Sequence, residues 1–212
     1  MSSYTTPNHK ELKELLDKNG PLKNDALGLD PCALETYFLK AGHFISQHML
    51  KMKVIGPDLL QGPGIFFTHH SVSSWQAFLA LESLGLFFSH PPRVMRIMAN
   101  PKIFSAPFLS IGLQKIGIFP FHKNNLEYLC KRNFSLGFLL SSKQLSSLKS
   151  SAIKKSLLSQ KEEIEALLHF AKLYNYPIYP LKILLNETKS LSIQVLKPEI
   201  NPSLTKVLHL LS

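Results

Sequence analysis

Acidic residues and cysteines are scarce in this sequence, and each scarcity excludes a class of protein. Only two of the 212 residues are cysteines, Cys32 and Cys130. That number is too small for a disulfide framework and favours a reducing compartment. The first 20 residues lack the apolar stretch that a secretory signal needs. The longest run without a charged residue, 59–81, holds glycine, proline, histidine and serine residues that do not suit a membrane span of about 20 residues. We therefore expect a cytoplasmic protein with no spanning helix.

The small number of acidic residues leaves a net charge of +10, and this charge is concentrated in one part of the chain. Residues 59–161 hold 12 basic and two acidic residues, whereas the preceding stretch has seven of each and the following stretch five of each. Such a field favours an anionic partner, either a phospholipid surface or a phosphorylated substrate. On charge alone, a solvated basic face explains it equally well. No motif combines aromatic and basic residues, so we expect no nucleic acid partner.

The N-terminal part of the chain predicts a tail followed by an amphipathic helix. Residues 1–31 form a tail with one short helix, 9–18, which ends at a sequence Asn-Gly-Pro. Residues 34–52 then show helical periodicity. Its apolar positions are Leu34, Phe38, Ala41, Ile45, Met49 and Met52, and its polar positions are Thr36, Lys40, His43, Gln47 and Lys51. This helix packs on its own domain or lies on a membrane surface, and the pattern allows both.

Strand and helix patterns alternate along the rest of the chain, which predicts one α/β domain over residues 32–200. In this domain, helices cover a mostly parallel sheet. The predicted strands are 64–68, 94–98, 116–121, 134–140 and 177–184, and the predicted helices are 76–84, 107–115 and 164–171. Residues 141–161 are rich in serine and lysine and predict a mobile loop, and residues 201–212 predict a C-terminal helix. Several aromatic residues are predicted to lie in the core: Phe66, Phe67, Trp75, Phe87, Phe88, Phe104 and Phe108.

Four blocks of sequence carry a resemblance to a known family. They read VIGPDLL followed by GPGIFFTHHS (54–71), RVMRIMAN followed by FSAPFL (93–109), GIFPFHK (117–123) and AKLYNYPIYPL (171–181). In order and spacing, from about residue 37 to residue 185, they resemble the 1-acylglycerol-3-phosphate acyltransferase family of glycerolipid acyltransferases. The resemblance implies that family's α/β fold, in which some of the aromatic residues assigned to the core line an acyl-chain groove instead. It also implies acyl transfer from acyl-CoA or acyl-carrier protein to a lysophospholipid, at an anionic membrane surface, without a cofactor or a metal.

The resemblance also assigns roles to residues. His69 falls on the family's general base, and Ser74 falls on the position of the carboxylate that orients this base. Ser71 falls on the family's serine, and Lys123 replaces the arginine that binds the substrate's phosphate. A base at the end of a strand can take the proton of an attacking hydroxyl, and a lysine can hold phosphate as a point charge. The adjacent His70 does not make a metal pair with His69, because neighbouring strand residues project to opposite faces.

The sequence departs from the family pattern at the carboxylates. Ser74 cannot orient an imidazole as an aspartate does, and a register shifted to His70 places Trp75 there instead. The third family motif, with its glutamate, is absent at residues 139–144. In residues 59–161 the two acids are Glu82 and Glu127, and Glu82 lies eight positions after Ser74. Two hypotheses follow: an enzyme with an altered site, or a non-catalytic lipid-binding or scaffolding descendant of the family.

Overall fold

The structure is a computed structural model, and most of the chain between Ala26 and Ile200 is described. The described ranges are 26–42, 44–56, 60–70, 72–90, 92–99, 101–105, 107–139, 161–186 and 190–200, with single residues at 10, 13, 14, 17, 202, 203 and 206. Lys10, Lys13, Glu14 and Asp17, which belong to the predicted helix 9–18, are helical. The loop predicted at 141–161 lies outside the described residues except for Lys161, and so does most of the helix predicted at 201–212.

The centre of the molecule is a seven-stranded sheet. Its strands are β1 (Lys53–Ile55), β3 (Ile65–His70), β5 (Met95–Ala99), β6 (Ile118–Pro120), β7 (Ser135–Leu139), β8 (Ile178–Leu185) and β9 (Leu191–Val195), and a separate parallel pair is formed by β2 (Leu60–Gln61) and β4 (Ser89–His90). The order of the strands in the large sheet is β1-β9-β8-β3-β7-β5-β6. Strands β8, β3, β7, β5 and β6 are mutually parallel, while β9 runs antiparallel to β8 and pairs with β1. The predicted α/β class with a mostly parallel sheet is confirmed.

Helices cover both faces of this sheet. They are α1 (Pro31–Leu34), α2 (Ser74–Phe87), α3 (Pro107–Lys115), α4 (Lys123–Lys131) and α5 (Lys161–Leu173), with a 3₁₀ turn at Pro101–Ser105. Helix α2 begins where Gln76 accepts hydrogen bonds from the Ser73 amide (3.1 Å) and the Ser73 hydroxyl (2.7 Å). Glutamine at this position of the first turn stabilises the helix start. The chain therefore changes from strand to helix within a few residues of His70.

Two apolar clusters hold the helices on opposite faces of the sheet. On one face, Ala77, Ala80, Leu81 and Leu84 of α2 pack against strand residues that include Phe66. On the other face, residues of α4 and α5 pack against Ile65, Phe67, Met98, Leu136 and Phe138. The connection from β3 to β5 runs in one direction along the sheet, and the connections from β6 to β7 and from β7 to β8 run in the other. Because crossovers between parallel strands are right-handed, the helices of the two groups lie on opposite faces.

The N-terminal helical region differs from its prediction. After α1, the chain forms π-helical segments at Glu35–Gly42 and Ile45–Met49, and it leaves the helical conformation before Met52. The Leu50 amide donates to the carbonyl of Ile45, a bond across five residues. Because a π-helix has more residues per turn than an α-helix, the apolar positions of the prediction do not all lie on one side. Met49 is exposed although it was assigned to the apolar side. Leu34 and Leu39 are buried against Leu86 and Phe87, so the region packs on its own domain.

Candidate functional site

The order of the strands reverses at the carboxyl ends of β3 and β7. These two strands are neighbours, but α2 follows β3 on one face of the sheet, and α5, the next described helix after β7, lies on the other face. A topological switch point therefore lies between β3 and β7. Open α/β sheets bind their ligands at such switch points, outside the carboxyl ends of the strands. The fold itself marks this edge as the candidate site.

His69 lies at this edge, in the second-last position of β3. The predicted strand 64–68 is extended by two residues, so that His69 and His70 belong to it. Pairing with β7 ends at Thr68 opposite Leu139, whereas pairing with β8 continues and places His69 opposite Lys182. Lys182 is a cation that sequence reasoning missed, because nothing in the sequence gives the register between β3 and β8.

Thr68 is a second residue at the site that sequence reasoning missed. It lies directly before His69 and is fully buried. Its hydroxyl has no hydrogen-bond partner within the described ranges, although buried polar groups normally have one. The only sequence signal was a threonine in an otherwise apolar strand, which is common in sheets and therefore carries little information.

The two predicted serines start the helix after this strand. Ser74 is the first residue of α2, and its neighbour Ser73 is the N-cap. Ser71 lies outside the described residues, so its predicted role stays a prediction. Trp75 was assigned to the core, but 54% of its surface is exposed. Large aromatic residues lie in the core more often than not, and composition alone does not show which one a helix turns outward.

Lys123 is on the same edge of the sheet but on its far side. It is the exposed first residue of α4, just after β6, and the N-cap His122 accepts a hydrogen bond from the Asn124 amide through Nδ1 (3.3 Å). A helix N-terminus with a lysine suits a phosphate group. Strands β7 and β5 lie between β3 and β6, a separation of roughly 14 Å at the usual strand spacing. The structure therefore places Lys123 and His69 on one edge without bringing them into contact.

The acids of the basic stretch lie away from this edge. Glu82 is fully buried in α2, and a Cβ built on Gly117 would be 3.7 Å from its Oε1. Gly117 immediately precedes β6, so Glu82 lies toward the amino ends of the strands. Burial raises the pKa of Glu82 well above its ordinary value, against the opposing effects of Arg96 and the main chain of Met95. Glu127 pairs with Lys131 on α4 at 2.7 Å.

Arg96 forms a buried cationic centre on the opposite face of the sheet. It is fully buried, and its guanidinium lies 5.9 Å from the ring centroid of Phe119 and 5.7 Å from that of Phe134. Aromatic faces stabilise a cation through their quadrupole. Because Met95 and Ile97, its neighbours in β5, pack on the α2 side, Arg96 belongs to the side of α4 and α5. Arg96 is therefore buried on the side of α4 and α5 and is not part of the candidate site.

The described residues contain no metal-binding cluster, and no similar protein helps to assign a role to the site. Among the described residues, no group of three or more histidine, cysteine, aspartate or glutamate side chains could hold a metal ion. No helix in that part of the chain is long and apolar enough to cross a membrane. The sequence matches no protein-family model, and no curated protein matches it significantly. The acyltransferase resemblance therefore depends on the residues of this chain alone.

Proposed function

We propose that this protein is a glycerolipid acyltransferase-like protein that acts at a membrane surface. Its reaction, where it is active, is acyl transfer from acyl-CoA or acyl-carrier protein to a lysophospholipid. The observation that carries the proposal is the position of His69, at the carboxyl end of the central strand and at the switch point between β3 and β7. Three other blocks of the resemblance fall on elements that share this sheet: β5, β6 and β8.

The proposed chemistry uses a base, a cation and an activated acyl donor. His69 takes the proton of the acceptor hydroxyl while the hydroxyl oxygen attacks the thioester carbonyl. The new C–O bond forms, the C–S bond breaks, and the proton returns from the imidazole to the leaving thiolate. Lys123, at the N-terminus of α4, holds the phosphate of the acceptor as a point charge. Lys182 is a second cation beside His69 in register.

A second candidate, a catalytically inactive lipid-binding or scaffolding descendant, has its own supporting observation. The two acids of residues 59–161 lie elsewhere, with Glu82 buried toward the amino edge and Glu127 paired with Lys131. Loss of the acid that orients a catalytic histidine lowers turnover by about 10⁴ in serine proteases. Ser74 supplies no such acid. On this alternative the fold and the basic surface are used for binding lipid alone.

The two candidates are separated by an acyl-transfer assay on the purified protein. With acyl-CoA and lysophosphatidic acid, we expect slow product formation that His69→Ala abolishes, because no other residue at this edge is in the base position of the resemblance. His70→Ala is the matched control, one residue further along the same strand, and it keeps the activity. Product is quantified by mass spectrometry against protein-free samples.

The other outcomes have equally definite meanings. Absence of wild-type transfer, together with lipid binding that is the same in His69→Ala, supports the inactive descendant. Wild-type turnover that survives His69→Ala contradicts the assignment of the site on both candidates.

A further inference from the structure

Helix α3 turns large apolar side chains into solvent. The exposed fractions are 93% for Phe108, 51% for Leu109 and 56% for Ile111, whereas the opposite side of the helix, at Ser110, Leu113 and Gln114, is half-buried. Phe108 and Ile111 are three positions apart and so lie next to each other on the helix surface. Gly112 follows them on the outward side. We call Phe108, Leu109, Ile111 and Gly112 the α3 face.

The α3 face lies beside the candidate edge. Helix α3 follows the carboxyl end of β5 through the turn Pro101–Ser105, so its first residues are at the edge that also holds His69. It packs on the outermost strand, β6, and its end is fixed where the Asp30 amide donates to the Lys115 carbonyl (3.0 Å). Trp75, in the first turn of α2, is exposed at the same edge. An apolar surface therefore lies at the same edge of the sheet as the candidate site.

The stretch of chain that holds the α3 face is basic. No acidic residue occurs between Glu82 and Glu127, and this stretch holds five basic residues, Arg93, Arg96, Lys102, Lys115 and Lys123. Of these, Lys123 is exposed at the carboxyl edge, whereas Lys115 lies near the amino end of β6 and pairs with Asp30 at 3.8 Å. An apolar surface with an exposed lysine matches the interface of a bilayer, where apolar groups enter the acyl boundary and cations meet anionic headgroups.

The N-terminal helical region offers a rival surface with a different charge. Tyr37, Phe44 and Met49 are exposed there, by 62%, 58% and 66%. Glu35 lies among them and pairs with Lys13 at 3.0 Å, which cancels the local positive charge. The stretch before residue 59 has equal numbers of basic and acidic residues. The α3 face belongs to residues 59–161, which carry the net positive charge of the chain, and this charge favours the α3 face over the N-terminal surface for an anionic partner.

We infer that the α3 face docks on a bilayer that contains anionic lipid. Phe108, Leu109 and Ile111 enter the interface, while Lys123, at the carboxyl edge, meets the headgroups. This orientation turns the carboxyl edge toward the leaflet, so a lipid acceptor reaches His69 without crossing water. The inference deepens the proposed function, and it rests on that function only for the identity of the reacting lipid.

Vesicle flotation tests the docking face directly. Wild-type protein is mixed with vesicles of phosphatidylcholine containing phosphatidylglycerol, and Phe108→Ser is compared with Phe44→Ser, a change of an equally aromatic and exposed residue on the rival surface. We expect Phe108→Ser to weaken binding about tenfold, since the apolar transfer of one large side chain is lost. Phe44→Ser is expected to bind as the wild type does. Both positions are exposed, so thermal unfolding of the two variants should match that of the wild type.

Two substitutions of opposite charge at Gly112 test the same face without removing any contact. A Cβ built on Gly112 meets nothing within 4 Å, so either side chain is accommodated. Gly112→Glu should weaken flotation several-fold, and Gly112→Lys should strengthen it, because the two variants differ in the sign of the added charge. Equal binding of these two variants would overturn the inference, as would a loss in Phe44→Ser that equals the loss in Phe108→Ser.

A second copy of the chain is the other possible occupant of the α3 face. Sedimentation velocity of the wild type and Phe108→Ser decides this: a wild-type dimer that Phe108→Ser converts to a monomer overturns the bilayer assignment. Flotation reads binding and not turnover. Normal flotation with no acyl transfer therefore leaves the docking face in place and counts against the active form of the proposed function alone.

Discussion

On the proposed function, Ser74 occupies the position at which one substitution would restore the acid that orients His69. As the first residue of α2, it lies where the helix dipole favours a negative side chain, so Ser74→Asp is compatible with the fold. The new carboxylate would orient His69 and stabilise its protonated form. We expect acyl transfer to rise about tenfold or more, measured as initial rate with acyl-CoA and lysophosphatidic acid.

Ser74→Asn is the matched control for this substitution. It has the size of aspartate without the charge, and it should leave the rate at the wild-type level. An equal rise in both variants would indicate an effect of packing, and no rise in Ser74→Asp would show that position 74 does not face the base.

Glu82 gives the molecule a stability that depends on pH. Because burial raises its pKa well above the ordinary value, the folded protein keeps a proton that the unfolded chain has lost. The free energy of unfolding therefore falls as pH rises from about 4.3, the unfolded value, through the raised folded pKa. One group changes it by at most about 1.4 kcal/mol per pH unit. Glu82→Gln removes this group, so urea unfolding at pH 5 and pH 8 should differ less in the variant than in the wild type.

Glu127→Gln is the control, since it makes the same carboxyl-to-amide change in a half-exposed side chain, which pairs with Lys131. A decrease of the same size in both variants would show that the effect is not specific to the buried carboxyl. Equal differences in Glu82→Gln and the wild type would mean that Glu82 does not change its proton binding on folding in this range.

Single residues also show what sequence reasoning could reach. The resemblance gave His69 and Lys123 roles at one site, and both residues lie at the carboxyl edge of the sheet. It could not give the register of His69 with Lys182, which depends on a strand more than 100 positions away. The assignment of Phe108 to the core was wrong, because an apolar residue in a helix is turned inward or outward by packing that composition does not contain.

At the scale of elements, strong periodicity was predictive and short or edge elements were not. The helix predicted at 107–115 coincides with α3, and the strand predicted at 134–140 contains β7. Strands β1 and β9 were missed, because three to five residues give little alternation. Helix α4 was missed as well, since its start, Lys123 with two asparagines, reads as a loop.

The contact between α2 and β7 depends on a strand position without a side chain. A Cβ built on Gly137 would lie 3.0 Å from Leu81 Cδ1 and 3.1 Å from Ile97 Cγ1. Gly137→Val should therefore overpack this contact and lower the free energy of unfolding by about 1–3 kcal/mol, measured by urea denaturation. Gly112→Ala is the matched control, because its Cβ enters open space and its helix gains about 0.5–1 kcal/mol. A Gly137→Val protein as stable as the wild type would show that α2 can move away at little cost.

At the scale of the whole molecule, the concentrated charge predicts a salt dependence. The +10 excess of residues 59–161 is opposed by no excess of acid on either side. Exposed charges are screened over about 10 Å at 0.1 M salt. Binding of the wild type to anionic vesicles should therefore fall as salt is raised from 0.05 to about 0.5 M, while weak binding to neutral phosphatidylcholine vesicles stays constant. Salt-independent binding, equal on both vesicle types, would exclude the electrostatic contribution.

The pairing of β1 with β9 constrains the order in which the chain can fold. Lys53 pairs with Ser192, 139 positions later, and Ile55 pairs with Gln194. On the ribosome, β1 must wait for most of the domain to be synthesised before its partner β9 exists. Contacts of such high sequence separation form slowly, because loop closure opposes them. During synthesis the apolar side chains of Leu50 and Met52 are therefore without the β9 members of their cluster, Leu191 and Ile193, and holding this segment until β9 emerges is a task suited to a chaperone.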